Sequence, residues 1–386
     1  MVAKAVSPFA RPAPGLPIRR GAPPLRRPTR AEAARFPIVA REFIERTRAE
    51  QTLLVNRRLY HLDWMAERHF VLAGATGHGL GGALAVATLF RLGRRGSLTV
   101  ISRDLSLSVG YQSGLLMQQM AEQLGLGERF HWLNDGLATS GEAFERIVAA
   151  LRQARATAVV YINTVASASS GLLPGLPPVY VKDIDRDGLF QWQLEPLSEK
   201  AIETTKYVMG TLAVQFPMAL EKAGIHVEVS AFADWRGSLD HCSRNPAVPE
   251  YGRHGPYSTS LFLPKDIIQA ATRAAYKTSR KVIDVFFPVM KTRALSYIPG
   301  GRLMALLYDE LRRREELPFI DIPELAVAFL DRVGRALDKG VDNLFPRLDL
   351  HEASLDFWFY EVMQRLTMDE NDEFFYKRWI RDDWDE

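Results

Sequence analysis

A single cysteine in 386 residues is the sharpest shortage in this sequence. Cys242 alone can build neither an internal disulfide framework nor a CxxC metal knuckle, so a reducing compartment, the cytoplasm, is expected. Long apolar runs are also missing: no uncharged stretch approaches the ~20 residues of a membrane-spanning helix. Charge of one sign is not in excess either, with 49 Lys and Arg against 46 Asp and Glu and a net charge of +3. With no block of basic residues interleaved with aromatics in the folded part, nucleic acid is not an expected partner. Acids are absent before Glu32, where "FARPAPGLPIRRGAPPLRRPTR" is dense in Pro and Arg. Such a segment cannot bury enough apolar surface to order itself, so residues 1–35 are expected to form a tail.

What is present is an ordinary globular balance, 47% hydrophobic and 25% charged, over a length that suits one large domain. "HFVLAGA", "SLTVIS", "RFHWLN" and "TAVVYIN" read as short, nearly continuous apolar strands, the pattern of a parallel sheet covered on both faces. Helical spacing separates them, in "YQSGLLMQQMAEQLGLG" and in "TSGEAFERIVAALRQAR", where Thr139 and Glu142 form a capping-box pair. Strands alternating with helices predict a Rossmann-like, doubly wound α/β fold. Two alternating runs flanking Asp-Arg-Asp-Gly predict a β-hairpin insertion over 178–196. Helices are expected at "SEKAIETTKYVMG" and "LAVQFPMALEKAG", followed by the strand "IHVEVSAF" and, further on, the strand "VIDVFFPVM". The main domain is thus expected over 36–320, with 321–386 as a helical, aromatic-rich C-terminal extension.

The stretch "FVLAGATGHGLGG" places Gly74, Gly77 and Gly79 between the first strand and its helix. Glycines there let backbone approach a pyrophosphate, whose charge meets the orphan N–H groups of the helix N-terminus. The spacing is GxxGxG rather than GxGxxG, and a plain tight turn, with Gly81 and Gly82 packing the helix closely, is the competing reading. The residue ending the second strand discriminates between dinucleotides, an acid favouring NAD and a base favouring NADP. Arg103, followed by Asp104, leans toward NADPH, with NADH as the alternative.

No tyrosine among the 12 has a Lys four residues later, which excludes the usual short-chain dehydrogenase pair. Tyr257 and Lys265, in "PYSTSLFLPK", are the nearest pair in a suitable place. At this point the order of segments resembles the FabV-type trans-2-enoyl-CoA and enoyl-acyl carrier protein reductases. The likeness is carried by "AGATGHGL", "VVYINTVAS", "VYVKDIDRDGLFQWQLEP", "TTKYVMGTLAVQFPMALEKAGI" and "VMKTRALSYIPGGRLMALLYDELRRRE", over about Phe70 to Glu315. The resemblance implies an NADPH- or NADH-dependent reduction of a 2-enoyl thioester. Tyr257 would assist at the carbonyl oxygen, and Lys265 would lower the Tyr257 pKa and position the ribose. It further implies that Gly74, Thr76, Gly77, Gly79, Leu80, Arg103, Asn163 and Lys291 lie on the cofactor side. Two departures stand out: the Tyr-to-Lys spacing is one residue short, and Ala231 falls where the family carries a second tyrosine.

Other residues carry weaker signals. His78 could face a phosphate or simply sit in the turn. Asp240, His241 and Cys242 are adjacent in sequence and do not converge as ligands, so no metal is expected. Ser167, Ser169 and Ser170 follow the fourth strand without a GxSxG elbow, which argues against a hydrolase. The implied partner is an acyl thioester on coenzyme A or acyl carrier protein, and the implied assembly a monomer or homodimer. A ketoreductase of a biosynthetic intermediate and a nucleotide-binding protein without turnover remain the rival readings.

Overall fold

A computed structural model describes residues 59–75, 79–102, 108–165, 174–175, 179–184, 189–235, 262–275, 281–287, 322–339 and 347–349. Four strands come first: β1 (His69–Ala73), β2 (Ser97–Ile101), β3 (Phe130–Leu133) and β4 (Ala158–Asn163). Helices α1 (Leu80–Arg91), α2 (Ser108–Gln123) and α3 (Glu142–Gln153) connect them. After β4, strands β5 (Val179–Ile184) and β6 (Leu189–Leu194) pair antiparallel as a separate two-stranded sheet, the hairpin expected from the Asp-Arg-Asp-Gly turn. The chain then runs through α4 (Glu199–Lys206), α5 (Leu212–Lys222), β7 (His226–Trp235), α6 (Phe262–Ala275), β8 (Val282–Phe287), α7 (Ile322–Lys339) and β9 (Arg347–Asp349).

The main sheet has seven strands in the order β3-β2-β1-β4-β7-β8-β9, all parallel. Because successive side chains alternate across a strand, β1 sends Phe70 and Leu72 into one core layer and Val71 and Ala73 into the other. Helices α1, α2 and α7 cover the first layer, and α3, α5 and α6 the second. This is the three-layer Rossmann-like arrangement that nearly continuous apolar strands require.

Three details differ from expectation. Thr139 and Glu142 do not form a capping box: Gly141, at φ +83°, takes the N-cap position, so Glu142 is the first helical residue rather than the third. Helices α4 and α5 are not separate; a π-helical turn, Tyr207–Thr211, joins them into one run, with the Leu212 N–H donating to the Tyr207 carbonyl. In the segment expected as a helical extension, α7 packs along α1 and β9 adds the seventh strand beside β8. That packing explains why the first ten residues of α1 are all buried: a helix enclosed by the sheet on one side and another helix on the other has no polar face to keep.

Candidate functional site

The chain builds β1, β2 and β3 outward, then returns to place β4 on the other side of β1. In open α/β sheets the crevice at such a reversal, beyond the carboxyl ends of the strands, is where ligands bind. Register aligns those ends: Ala73 sits opposite both Ile101 and Asn163, Ile101 opposite Leu133, and Asn163 opposite Phe232. The glycine segment therefore leaves β1 at the middle of this edge.

Gly74 has φ +83°, a conformation that L side chains rarely adopt. A Cβ there would lie 2.9 Å from the Thr164 carbonyl carbon and the Val165 nitrogen, so the turn also passes flush against the backbone leaving β4. Gly81, in the first turn of α1, is the second close approach. Its Cβ would lie 2.6 Å from the Gly74 carbonyl oxygen and 2.6 Å from Thr164 Oγ1. Gly79 is the N-cap of α1 and offers no side-chain acceptor to the helix start. Leu80, its first residue, is buried. The helix thus begins with backbone N–H groups that no N-cap side chain satisfies, an arrangement complementary to an anion. Gly74 provides the turn and Gly81 the close packing, as the tight-turn reading of the glycines expects.

Asn163, at the end of β4, is buried and its side chain is engaged within the protein. Its Oδ1 accepts the Val165 N–H at 3.1 Å, and its Nδ2 donates to the Tyr161 hydroxyl at 2.7 Å. Thr164 closes the other side: its N–H and its hydroxyl both donate to the Ala73 carbonyl, at 2.9 and 3.0 Å. Tyr161 is fully buried among Phe216 and Phe232, and burial pushes its hydroxyl well above the ordinary tyrosine range, so it stays protonated. At the end of β2, the Ser102 hydroxyl accepts from Trp132 Nε1 at 2.8 Å and donates to Asn134 Oδ1 at 3.2 Å. Asp135, just after β3, takes a two-pronged ion pair from Arg146 of α3. Sequence reading passed over Tyr161, Thr164 and Ser102; the signal available for Thr164 was a hydroxyl residue directly after a strand that faces a glycine turn.

Lys265 lies in the first turn of α6, which starts at Phe262, with Pro264 as its third residue. Helix α6 follows β7 and precedes β8 in the chain. Ala231 is a fully buried residue within β7, between Ile162 and Ile283, inside the sheet rather than beyond its edge. Thr76, Gly77, His78, Arg103, Ser167, Ser169, Ser170, Asp240, His241, Cys242, Tyr257 and Lys291 lie outside the described residues. Among the described residues no group of three or more His, Cys, Asp or Glu could hold a metal, and no helix is long and apolar enough to cross a membrane.

This strand order defines a Rossmann-like α/β fold. Among solved structures, the chain is similar to the trans-2-enoyl-CoA reductase of Treponema denticola in complex with NAD, at TM-score 0.60 and 16% identity, covering 86% of each chain. It is likewise similar to the trans-2-enoyl-CoA reductase of Clostridium acetobutulicum in complex with NADH, at TM-score 0.54 and 15% identity, over 80% of this chain and 85% of that one. The sequence matches no family model and no curated protein.

Proposed function

We propose that the chain is an NADPH- or NADH-dependent oxidoreductase that reduces the carbon–carbon double bond of a 2-enoyl thioester or a related conjugated carbonyl compound. The observation that carries this reading is the cradle at the sheet reversal, where Gly74 and Gly81 bring backbone together at a helix N-terminus. That arrangement suits a dinucleotide: Gly74 and Gly81 let the end of β1 and the start of α1 pack flush on the chain leaving β4, and the first N–H groups of α1 complement a pyrophosphate. The shared fold with two enoyl-CoA reductases, found with NAD and with NADH, supports the substrate class. When bound, the nicotinamide supplies a hydride to the β-carbon of the conjugated system.

The chain's own residues would do the remaining work. Tyr257 hydrogen-bonds or protonates the thioester oxygen, where negative charge develops. Lys265, at the start of α6, lowers the pKa of Tyr257 and holds the ribose. Arg103, one residue beyond Ser102, meets the 2′-phosphate of NADPH, which makes NADPH the expected cofactor, and Lys291 stands on the cofactor side. The thioester is carried on coenzyme A or acyl carrier protein.

The test is oxidation of NADPH and NADH, followed by ultraviolet absorbance, with crotonyl and longer 2-enoyl thioesters in wild type and Tyr257→Phe. Turnover that falls by about 100-fold or more in the variant is expected, the usual contribution of a positioned proton donor. Turnover that survives the substitution removes Tyr257 from the site. Absence of turnover with every thioester, despite nucleotide binding, would turn the assignment toward a ketone substrate or a binding protein.

A further inference from the structure

We infer that Tyr161, Asn163 and Thr164 form a clasp that seats Gly74 and the start of α1 against the chain leaving β4, with Tyr161 and Thr164 as positioning residues for the cofactor. The inference rests on the nucleotide-binding reading of the cradle and adds the residues that set its shape.

The clasp is a continuous chain of contacts across the reversal between β1 and β4. A backbone N–H can only donate, so the Val165 N–H fixes the Asn163 carboxamide with Oδ1 toward it. Nδ2 is thereby turned toward Tyr161, whose hydroxyl must accept. That hydroxyl cannot drift, because its ring is wedged against Phe216 at 5.3 Å and Phe232 at 6.2 Å, and Phe216 in turn meets Phe144. The aromatic layer beneath α3 and α5 thus anchors the chain where it leaves β4. From there Thr164 reaches across to β1, two donors on the single Ala73 carbonyl, immediately before Gly74.

Thr164 also limits how far the turn can collapse. Its carbonyl occupies the space a Cβ on Gly74 would need, and its Oγ1 the space a Cβ on Gly81 would need. The glycine turn and the start of α1 are therefore seated on one residue of the opposite strand. A single hydroxyl sets the spacing between strand end and helix start, the two parts that must approach a pyrophosphate together. None of the three side chains needs to touch the nucleotide for this to act.

The experiment compares full-length wild type, Thr164→Val, Thr164→Ser and Tyr161→Phe by calorimetric titration with NADPH and NADH, and by amide hydrogen exchange over residues 70–82 and 160–166. Thr164→Val is expected to weaken the tighter-binding cofactor about tenfold, the equivalent of one hydrogen bond of ordinary strength, and to speed exchange across the glycine turn. Tyr161→Phe should do the same in smaller measure, while Thr164→Ser, which keeps the hydroxyl, should restore both readouts. A merely structural role would lower the melting temperature and leave the dissociation constant of the folded protein unchanged; that result overturns the inference. If wild type binds neither nucleotide, the nucleotide reading fails. Exchange then judges the clasp by itself: unchanged protection of residues 70–82 in Thr164→Val overturns it, and selective loss of protection upholds it as the holder of the turn.

Discussion

Gly81 shows how a single missing methyl group couples stability to the site. In the first turn of a helix, alanine would ordinarily gain about 1 kcal/mol over glycine. Here the added Cβ would fall 2.6 Å from the Gly74 carbonyl oxygen, a backbone atom that cannot swing aside. Overpacking of that kind costs about 1–3 kcal/mol and moves α1 off the sheet. Gly81→Ala is therefore expected to lower the urea midpoint despite its better helix propensity and to weaken nucleotide binding along with it. A variant as stable as wild type would mean that α1 is not seated on Thr164. The sequence marked both Gly74 and Gly81, yet it could not say which glycine meets which atom. The partner, Thr164, lies 91 residues beyond Ala73, and no local pattern encodes a contact at that distance.

At the scale of elements, α7 is the part whose role sequence reading left open. Its buried residues Ile322, Leu325, Ala326, Phe329, Leu330, Val333 and Ala336 repeat at three- and four-residue intervals and face α1 and the sheet. Near its end, Gly334 lies against the indole of Trp64, in the short 3-10 helix Leu59–Met65, so closely that a Cβ would overlap the ring. Trp64 in turn packs on Phe70 of β1, with ring centroids 5.7 Å apart. Gly334→Ala should cost about 1–3 kcal/mol, because the ring is held on both sides and has nowhere to relax. Chemical denaturation measures that loss, and a change in emission that disappears in a Trp64→Phe background assigns it to this contact. An unchanged midpoint would show that α7 does not clamp the 3-10 helix Leu59–Met65. The periodicity of α7 was legible as a helix; that it covers α1, rather than forming a separate cap, depends on where the sheet carries β8 and β9.

For the whole molecule, one buried and one half-buried histidine set how stability follows pH. His131, inside β3, is 3% exposed, and burial holds its pKa below the ordinary value; its Nε2 has no hydrogen-bond partner among the described residues. His69, at the start of β1, is also lowered by burial, with nearby Glu228 pulling the other way. Its Nδ1 lies 2.7 Å from Ser97 Oγ. In each case the unfolded chain binds a proton more readily than the native one. Stability therefore falls as pH drops below the ordinary histidine value of about 6.5, by up to about 1.4 kcal/mol per pH unit for each proton gained on unfolding, until the native pKa is reached. The midpoint of urea unfolding should fall between pH 7.5 and 5.5, and His131→Leu should flatten part of that slope. A slope equal to that of wild type would remove His131 from the account.

The sequence by itself determined the layers. Short apolar strands separated by helical periods allow little except a covered parallel sheet, because every strand must bury both faces. It also determined that a glycine-rich turn follows the first strand, and it marked the hairpin, whose Asp-Arg-Asp-Gly turn is local chemistry. Only the tertiary structure decided the strand order, the seventh strand and the layer that α7 covers, since these depend on which segments meet across long stretches of chain. It alone brought Thr164 onto Ala73 and left Asn163 bonded to Tyr161 and Val165. A side chain's hydrogen bonds are settled by the neighbours that folding delivers, and the same asparagine at a strand end could have faced a ligand instead.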